Sequence, residues 1–524
     1  MSEDDRNEIL MAPAGQKMAR GQVAAHKLAP ALNGAGFAYR HDWGARHGQW
    51  ILQIDWLAVT PRSQVFVAIG EGVAGGPDAG KFIGAARYTV HNVAPRTGGI
   101  DLWVNIEWEA DIPLYVDYLV INPEDLTART VQVTVQRHST VPLTEEDADR
   151  ILADMGSTLQ NADSGADVAT RVQFVRNGPV QVLPDTVAAT IQTEAQLIDL
   201  LNTGTGVKLV QAIRWCGGPG GSIIGCAPLG SPTVNVVAVR FTPSMEGILW
   251  VHEYGHNAGI GHRSDDTRAV MYPSIGADHN VINGAESGRY LAGPATITGA
   301  VMTSCDCDGA GIQPPKEVRE FVSRHWVEGI PYLAASQYTE QDAKILLDWL
   351  VNEPGQHEEF LPEIVTTLCF IGSELAVKPL LDFVHSPWAG RAAFNAKNAV
   401  LIHLGDLVNR SGSQAGLDFL TLAATGMTTA KALAAPQAAN AAAEAASMKV
   451  AAPGVDALAA ELAVSATFGL ALAGRPDAEQ VIDALTDAPD GCALVKGAAV
   501  EAAKLSRTVR ARGQKEYYRM KSAG

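Results

Sequence analysis

His252-Glu253-Tyr254-Gly255-His256-Asn257-Ala258-Gly259-Ile260-Gly261-His262 places three imidazoles and a carboxylate in one short segment. Upstream, Thr242-Pro243 reads as a helix entry, because Pro lacks an N–H that the first turn would leave unpaired anyway. Ile248, Leu249 and Val251 supply an apolar side. On a helix turning roughly 100° per residue, His252 and His256 sit about 40° apart, and Glu253 lies about 60° round from His256. Both rings can therefore reach one cation, with the carboxylate beside them. Gly259 falls where the helix must stop, and a residue without Cβ can enter the left-handed region that reverses the chain. That turn brings His262 back toward the pair. Three protein ligands with a fourth position open is the arrangement of catalytic rather than structural zinc. One Zn2+ is the expected cofactor, with Glu253 as general base.

The pattern His-Glu-x-x-His-x-x-Gly-x-x-His resembles the hallmark of the metzincin zinc endopeptidases, and Ala269-Val270-Met271-Tyr272-Pro273-Ser274 resembles their Met-turn. The resemblance spans roughly residues 150 to 300. It implies an α+β zinc peptidase domain, with Met271 as an apolar floor under the metal rather than a ligand, and a closing helix over Asn280 to Leu291. By position it also implies a substrate edge strand at Ser222-Ile223-Ile224-Gly225, following the loop Gly217 to Gly221, whose unpaired backbone would take an extended peptide. The same stretch reads equally well as a flexible connector. Tyr272 directly follows Met271, as in matrixins, whereas the zinc-facing Tyr of astacins and serralysins would fall on Pro273. Arg263 fits no subfamily signature, and no Cys precedes Cys216, so a cysteine-switch propeptide is not expected.

Outward from this segment the patterning changes twice. From about residue 35 to 140 it is short and alternating: Ile100, Leu102, Val104, Ile106 and Trp108 share one face, with Asp101, Asn105 and Glu107 on the other. A β-sandwich over 1–143 is expected, including a polar N-terminal segment. Trp43, Trp50, Trp56, Trp103 and Trp108 lie in it and serve either as core or as a surface for a carbohydrate or protein ligand. Thr144-Glu145-Glu146-Asp147 reads as a capping box that opens the catalytic domain, 144–303. Past Gln313-Pro314-Pro315 helical periodicity dominates 304–524. There, apolar helices stopped by Gly372, Gly405 and Gly474 each lead into a second helix, which resembles HEAT-type repeats; a plain helical bundle is the alternative.

The 524 residues are 47% hydrophobic and 19% charged, a globular balance spread over about three domains. A net charge of -17 without a basic block argues against nucleic acid as a partner. The Ala-rich tract 429–464 is interrupted by polar residues, so no membrane span is expected. The acidic start, Met1-Ser2-Glu3-Asp4-Asp5-Arg6, has no apolar h-region and gives no recognisable signal peptide. Cys216 and Cys226 flank a Gly-rich stretch and can close one disulfide; Cys305 and Cys307 are awkwardly close for pairing with each other, and Cys369 and Cys492 read as buried thiols. No other histidine has ligand spacing. Protein or peptide substrates are expected; the alternatives are a zinc-containing binding protein that uses the sandwich and the helical repeats, and a helical scaffold whose metal motif is accidental.

Overall fold

The computed structural model describes residues 17–23, 29–31, 36–73, 80–122, 129–161, 169–296, 312–448, 452–487 and 493–523. Cys305, Cys307 and Cys492 lie outside them. By internal contacts the chain forms two compact units: residues up to 130 with 159–173 and 282–287, and residues 131–158, 174–281 and 288–524.

The first unit begins with β1 (Lys17–Gln22), β2 (Ala29–Ala31), β3 (Gly36–Arg46), β4 (Gly48–Asp55), β5 (Gln64–Gly72), β6 (Lys81–Phe82), β7 (Arg87–Arg96), β8 (Gly99–Glu107) and β9 (Ile112–Ile121). Two sheets result, ordered β1-β4-β8-β7 and β2-β3-β9-β5-β6, with β1–β4 the one parallel pair. Alternation decides what they bury. Along β8, Ile100, Leu102, Val104 and Ile106 point inward, and on β9 Leu114, Val116, Tyr118 and Val120 do the same, so both sheets feed one apolar core. Trp108 departs from the expected face: β8 ends at Glu107, and the indole beyond it is exposed. Trp43 and Trp56 belong to the core, and Trp50 lies half-buried with the Arg46 guanidinium 4.7 Å from its ring centroid. The five indoles therefore do not form one aromatic surface.

Next along the chain come β10 (Arg129–Val133), β11 (Val135–Arg137), α1 (Glu145–Gln160), β12 (Val172–Arg176), β13 (Gln181–Val182), β14 (Thr190–Ile191), α2 (Glu194–Asn202), β15 (Gly206–Val210), β16 (Ala212–Trp215), β17 (Pro219–Ile223), β18 (Gly225–Cys226), β19 (Asn235–Val239), α3 (Pro243–Asn257), β20 (Ser274–Ile275) and α4 (Gly284–Ala292). The capping box forms: Thr144 N–H donates to Asp147 Oδ2, and Asp147 N–H to Thr144 Oγ1. Helix α4 starts later than the expected Asn280, because Asn283 Oδ1 accepts from Ala285 and Glu286 N–H and so fixes the entry. In the second unit one sheet runs β13-β11-β15-β19-β18, parallel until β18 pairs antiparallel with β19. A second sheet runs β14-β16-β17.

The chain continues through α5 (Val318–Val322), β21 (His325–Trp326), α6 (Tyr332–Ala335), α7 (Glu340–Asn352), α8 (Leu361–Ile371), α9 (Val377–His385), α10 (Arg391–Ser411), α11 (Gln414–Thr425), α12 (Met427–Met448), α13 (Val455–Ala473), α14 (Pro476–Asp487), α15 (Ala493–Arg512) and α16 (Gln514–Ala523). Helices α8, α10, α13 and α15 pack side by side in one row, and α9, α11 and α14 form a second. The pairs α8–α9, α10–α11 and α13–α14 turn at Gly372, Gly412 and Gly474, each with a left-handed backbone. Gly405 is not a stop as the sequence suggested. It lies inside α10 at the crossing with α13, where an added Cβ would stand 1.9 Å from Gly469 O. Helix α13 is long and apolar enough to cross a membrane by length and composition, yet 83% of that stretch is buried among its neighbours. Its Glu461 pairs with buried Arg214 of β16 at 3.2 Å.

The expected boundary at 303–304 does not coincide with a break between cores. Ile213, Trp215 and Ile223 of the β16–β17 hairpin share one apolar cluster with residues of α8, α10 and α13. A helical row with one apolar face needs something to cover it, and β17 does so against α8 and α10. Hydrogen-exchange protection of the β15–β19 amides and helical circular dichroism should therefore be lost in one denaturant transition. Gly469→Val, whose Cβ would meet Leu401 O at 2.1 Å, should lower that transition by about 1–3 kcal/mol. Two separate transitions, or an unchanged midpoint, would contradict the shared core.

Candidate metal centre

Helix α3 is entered at Pro243, and its first turn is fixed electrostatically rather than by a cap. Buried Glu246 accepts from Arg240 Nε at 2.6 Å and from Arg150 Nη2 at 2.9 Å, while Thr242 makes no side-chain cap bond. At the other end Asn257 Oδ1 accepts from Asn235 N–H at 2.7 Å, and its amide donates to Pro228 O and Asn235 O. The helix is thus pinned to β19 at its C-terminal end, next to His256. Gly259 has φ +78°, so the chain reverses, with Ile260 N–H donating to Gly255 O at 2.9 Å.

The reversal delivers His262 to the two helical histidines. His252 Nε2 lies 3.2 Å from both His256 Nε2 and His262 Nε2, and one nitrogen from each ring falls within a common 4.8 Å. The opposite nitrogens decide what these short separations mean. His252 Nδ1 is 2.8 Å from Val270 O, and His256 Nδ1 is 2.9 Å from Ile260 O. A carbonyl only accepts, so both rings carry their proton on Nδ1. Burial lowers the pKa of His252 well below that of an ordinary imidazole and that of His256 to about 4, so neither ring carries a second proton at neutral pH. Both Nε2 atoms are then lone pairs, and lone pairs do not hydrogen-bond to each other. Their convergence suits a shared cation: tetrahedral zinc with Zn–N near 2.1 Å sets nitrogens about 3.4 Å apart. The residues present fit such an ion.

Met271 is fully buried, with Tyr290 O–H donating to its sulfur at 3.1 Å. A Cβ on Gly255 would stand 2.4 Å from that sulfur, so the turn presses directly on the ligand helix. Arg263, which no signature explained, has a structural use: its N–H donates to Met271 O at 2.8 Å and ties the third-ligand loop to the turn. The Tyr272 hydroxyl accepts from Arg324 Nη1 at 3.0 Å. Glu253 is fully buried beside the ligands, and neither of its oxygens has a hydrogen-bond partner. Burial, then neighbouring Glu328, raises its carboxyl pKa well above the usual range. A Cβ on Gly225 would lie 2.1 Å from Glu253 Oε1, so β18 runs past the carboxylate.

Cys216 and Cys226 are joined by a disulfide, and the free Cys369 is buried. Ser222, Ile223, Ile224 and Gly225 are neither a flexible connector nor an open edge. Ser222, Ile223 and Gly225 are buried, and the backbone of Val327 and Glu328 already pairs with this stretch. The reason lies far along the chain, where β21 and the two residues after it enter beside β18. Glu328 arrives with them and was not singled out from the sequence: Trp326-Val327-Glu328-Gly329 carries no motif, and its one signal is an acid in a short apolar, non-helical run. No model of a known protein family matches this chain, and no curated protein is significantly similar to it.

If Met271 is a floor and not a ligand, Met271→Leu should keep one zinc per chain and cost less than about 1.5 kcal/mol of stability. His262→Ala should weaken zinc by at least about a hundredfold in chelator competition. Zinc lost from Met271→Leu, or retained at full affinity by His262→Ala, would reverse these roles.

Proposed function

We propose that this chain is a zinc-dependent endopeptidase of the metzincin type, hydrolysing peptide bonds in protein substrates. The observation that carries the reading is the convergence of three imidazoles, two of them locked with Nε2 as a lone pair, beside a buried carboxylate with no hydrogen-bond partner. His252, His256 and His262 would hold the ion. When bound, zinc supplies a Lewis acid for the scissile carbonyl and lowers the pKa of water toward about 7. Glu253 would accept the proton of the attacking water and return it to the leaving amine, its ionised form favoured by a bound cation despite its burial. Met271 supports the ligand helix from below. The Met-turn, the glycine reversal and a mixed sheet ending in an antiparallel edge strand favour the metzincin assignment over other metal hydrolases. The paired helices, similar to HEAT-type repeats, buttress β17, the strand just before β18.

A second reading, a zinc-containing binding protein without turnover, is favoured by one observation: the edge strand is already paired within the chain. Metal content and hydrolysis of a peptide library, compared between wild type and Glu253→Ala, separate the two. Zinc should stay at one per chain in both, while cleavage falls by about 10²–10⁴-fold in the variant. Absence of zinc from the wild type, or equal cleavage by both, would refute the peptidase reading.

A further inference from the structure

Residues 325–328 run extended between β20 and the stretch Ile223 to Gly225. On one side β21 pairs antiparallel with β20, Ser274 opposite Trp326 and Ile275 opposite His325, and Val327 N–H donates to Pro273 O at 3.0 Å. On the other side Val327 O accepts from Ile224 N–H at 2.8 Å and from Gly225 N–H at 3.3 Å, and Glu328 bridges antiparallel to Ile223. The backbone groups that would bind a peptide are thus engaged by the chain itself, in the geometry of β-strand addition. The segment is anchored at its entry: Trp326 is fully buried with its indole N–H on Phe321 O, and Arg324 donates to Tyr272 beside Met271. At its exit Gly329 takes φ +96° and turns the chain away.

Just before that turn, Glu328 faces the histidines. Its side chain is 1% exposed, with Oε1 4.0 Å from His256 Nε2 and Oε2 4.0 Å from His262 Nε2. The two oxygens address two different rings, so the carboxylate meets the cluster broadside. Resting on the zinc reading above, we propose that Glu328 is a fourth protein ligand of the metal, and that residues 325–328 occupy the substrate edge from within and hold the centre closed. Three imidazoles and a carboxylate complete the coordination of a closed site, whereas turnover needs the fourth position open. Binding a carboxylate to a cation also answers the cost of burying it. No covalent step is involved: the strand leaves, Glu328 leaves with it, and a peptide takes both places.

The test uses the full chain loaded with Co2+, as wild type, Glu328→Gln and Glu328→Ala, with the visible absorption of the metal read before and after acetohydroxamate. The wild-type spectrum should be unmoved by the hydroxamate, and both variants should start from a different spectrum and shift on its addition. With zinc, the variants should cleave a peptide library at least about tenfold faster, since the strand is then held by its backbone bonds alone, without the carboxylate's bond to the ion, and the open fraction rises. A wild-type spectrum that shifts as the variants' spectra do would overturn the proposal and leave the peptidase reading standing. Shifted variants without cleavage would support Glu328 as a ligand and sink the peptidase reading. Failure of any form to bind cobalt or zinc would sink both. The wild-type arm does not depend on how the variants fold, and the isosteric Gln replacement changes no volume in the buried site.

Discussion

Two backbone carbonyls, those of Val270 and Ile260, take the Nδ1 protons of His252 and His256, and the geometry of the centre depends on that pair of hydrogen bonds. They fix the tautomer, and with it the direction of the lone pairs that a metal would use. Each carbonyl is itself held. Ile260 is placed by the Gly259 reversal, and Val270 by the bond from its own N–H to Val281 O. Arg263 N–H on Met271 O then closes the link between the third-ligand loop and the turn beneath it. The motif is therefore less a set of ligands than a short closed circuit of backbone, with side chains aimed inward.

That circuit is joined to the helical part of the chain through a shared apolar core, in which the β16–β17 hairpin takes part. The disulfide joins the residue after β16 to β18, the strand that passes Glu253. Between them β17 packs on α8 and α10, and Arg214 of β16 reaches Glu461 in the middle of α13. Burying an arginine–glutamate pair is costly unless its geometry is satisfied, and Arg214 also donates to Asn395 at 2.7 Å. A displacement of the helical rows would act on the hairpin, and through it on the strand beside Glu253.

Local features were legible in the sequence. Spacing of i and i+4 placed His252 and His256 on one face, a glycine marked the reversal, and the Thr144–Asp147 box and the alternation from Ile100 to Ile106 were read from neighbours in sequence. What failed was long-range. An apolar helix face announces that it will be covered but not by what, so the core shared by β17 and α10 was not apparent. Gly405 looked like a stop because glycine ends helices more often than it lets two of them cross, and its partner Gly469 lies in another helix. Trp108 kept the period of β8 but fell beyond its last residue. The segment at Ser222 to Gly225 was placed beside the site, yet its state depended on Val327 and Glu328, which no spacing rule connects to it.

Charge ties these observations together. Without a cation, burial first and the neighbouring Glu328 carboxylate second drive the Glu253 carboxyl pKa upward. A divalent cation among them brings the sum of the group to zero, a condition under which a buried centre is stable but weakly electrophilic. Removing Glu328 with its strand would leave one carboxylate beside the dication, a net positive site. Positive charge is what polarises a peptide carbonyl, and it keeps Glu253 ionised and able to take a proton. The residue that closes the centre sterically thus also damps it electrostatically. Since Trp326 belongs to the same core as the helices, opening requires a core residue to move rather than a surface loop to lift.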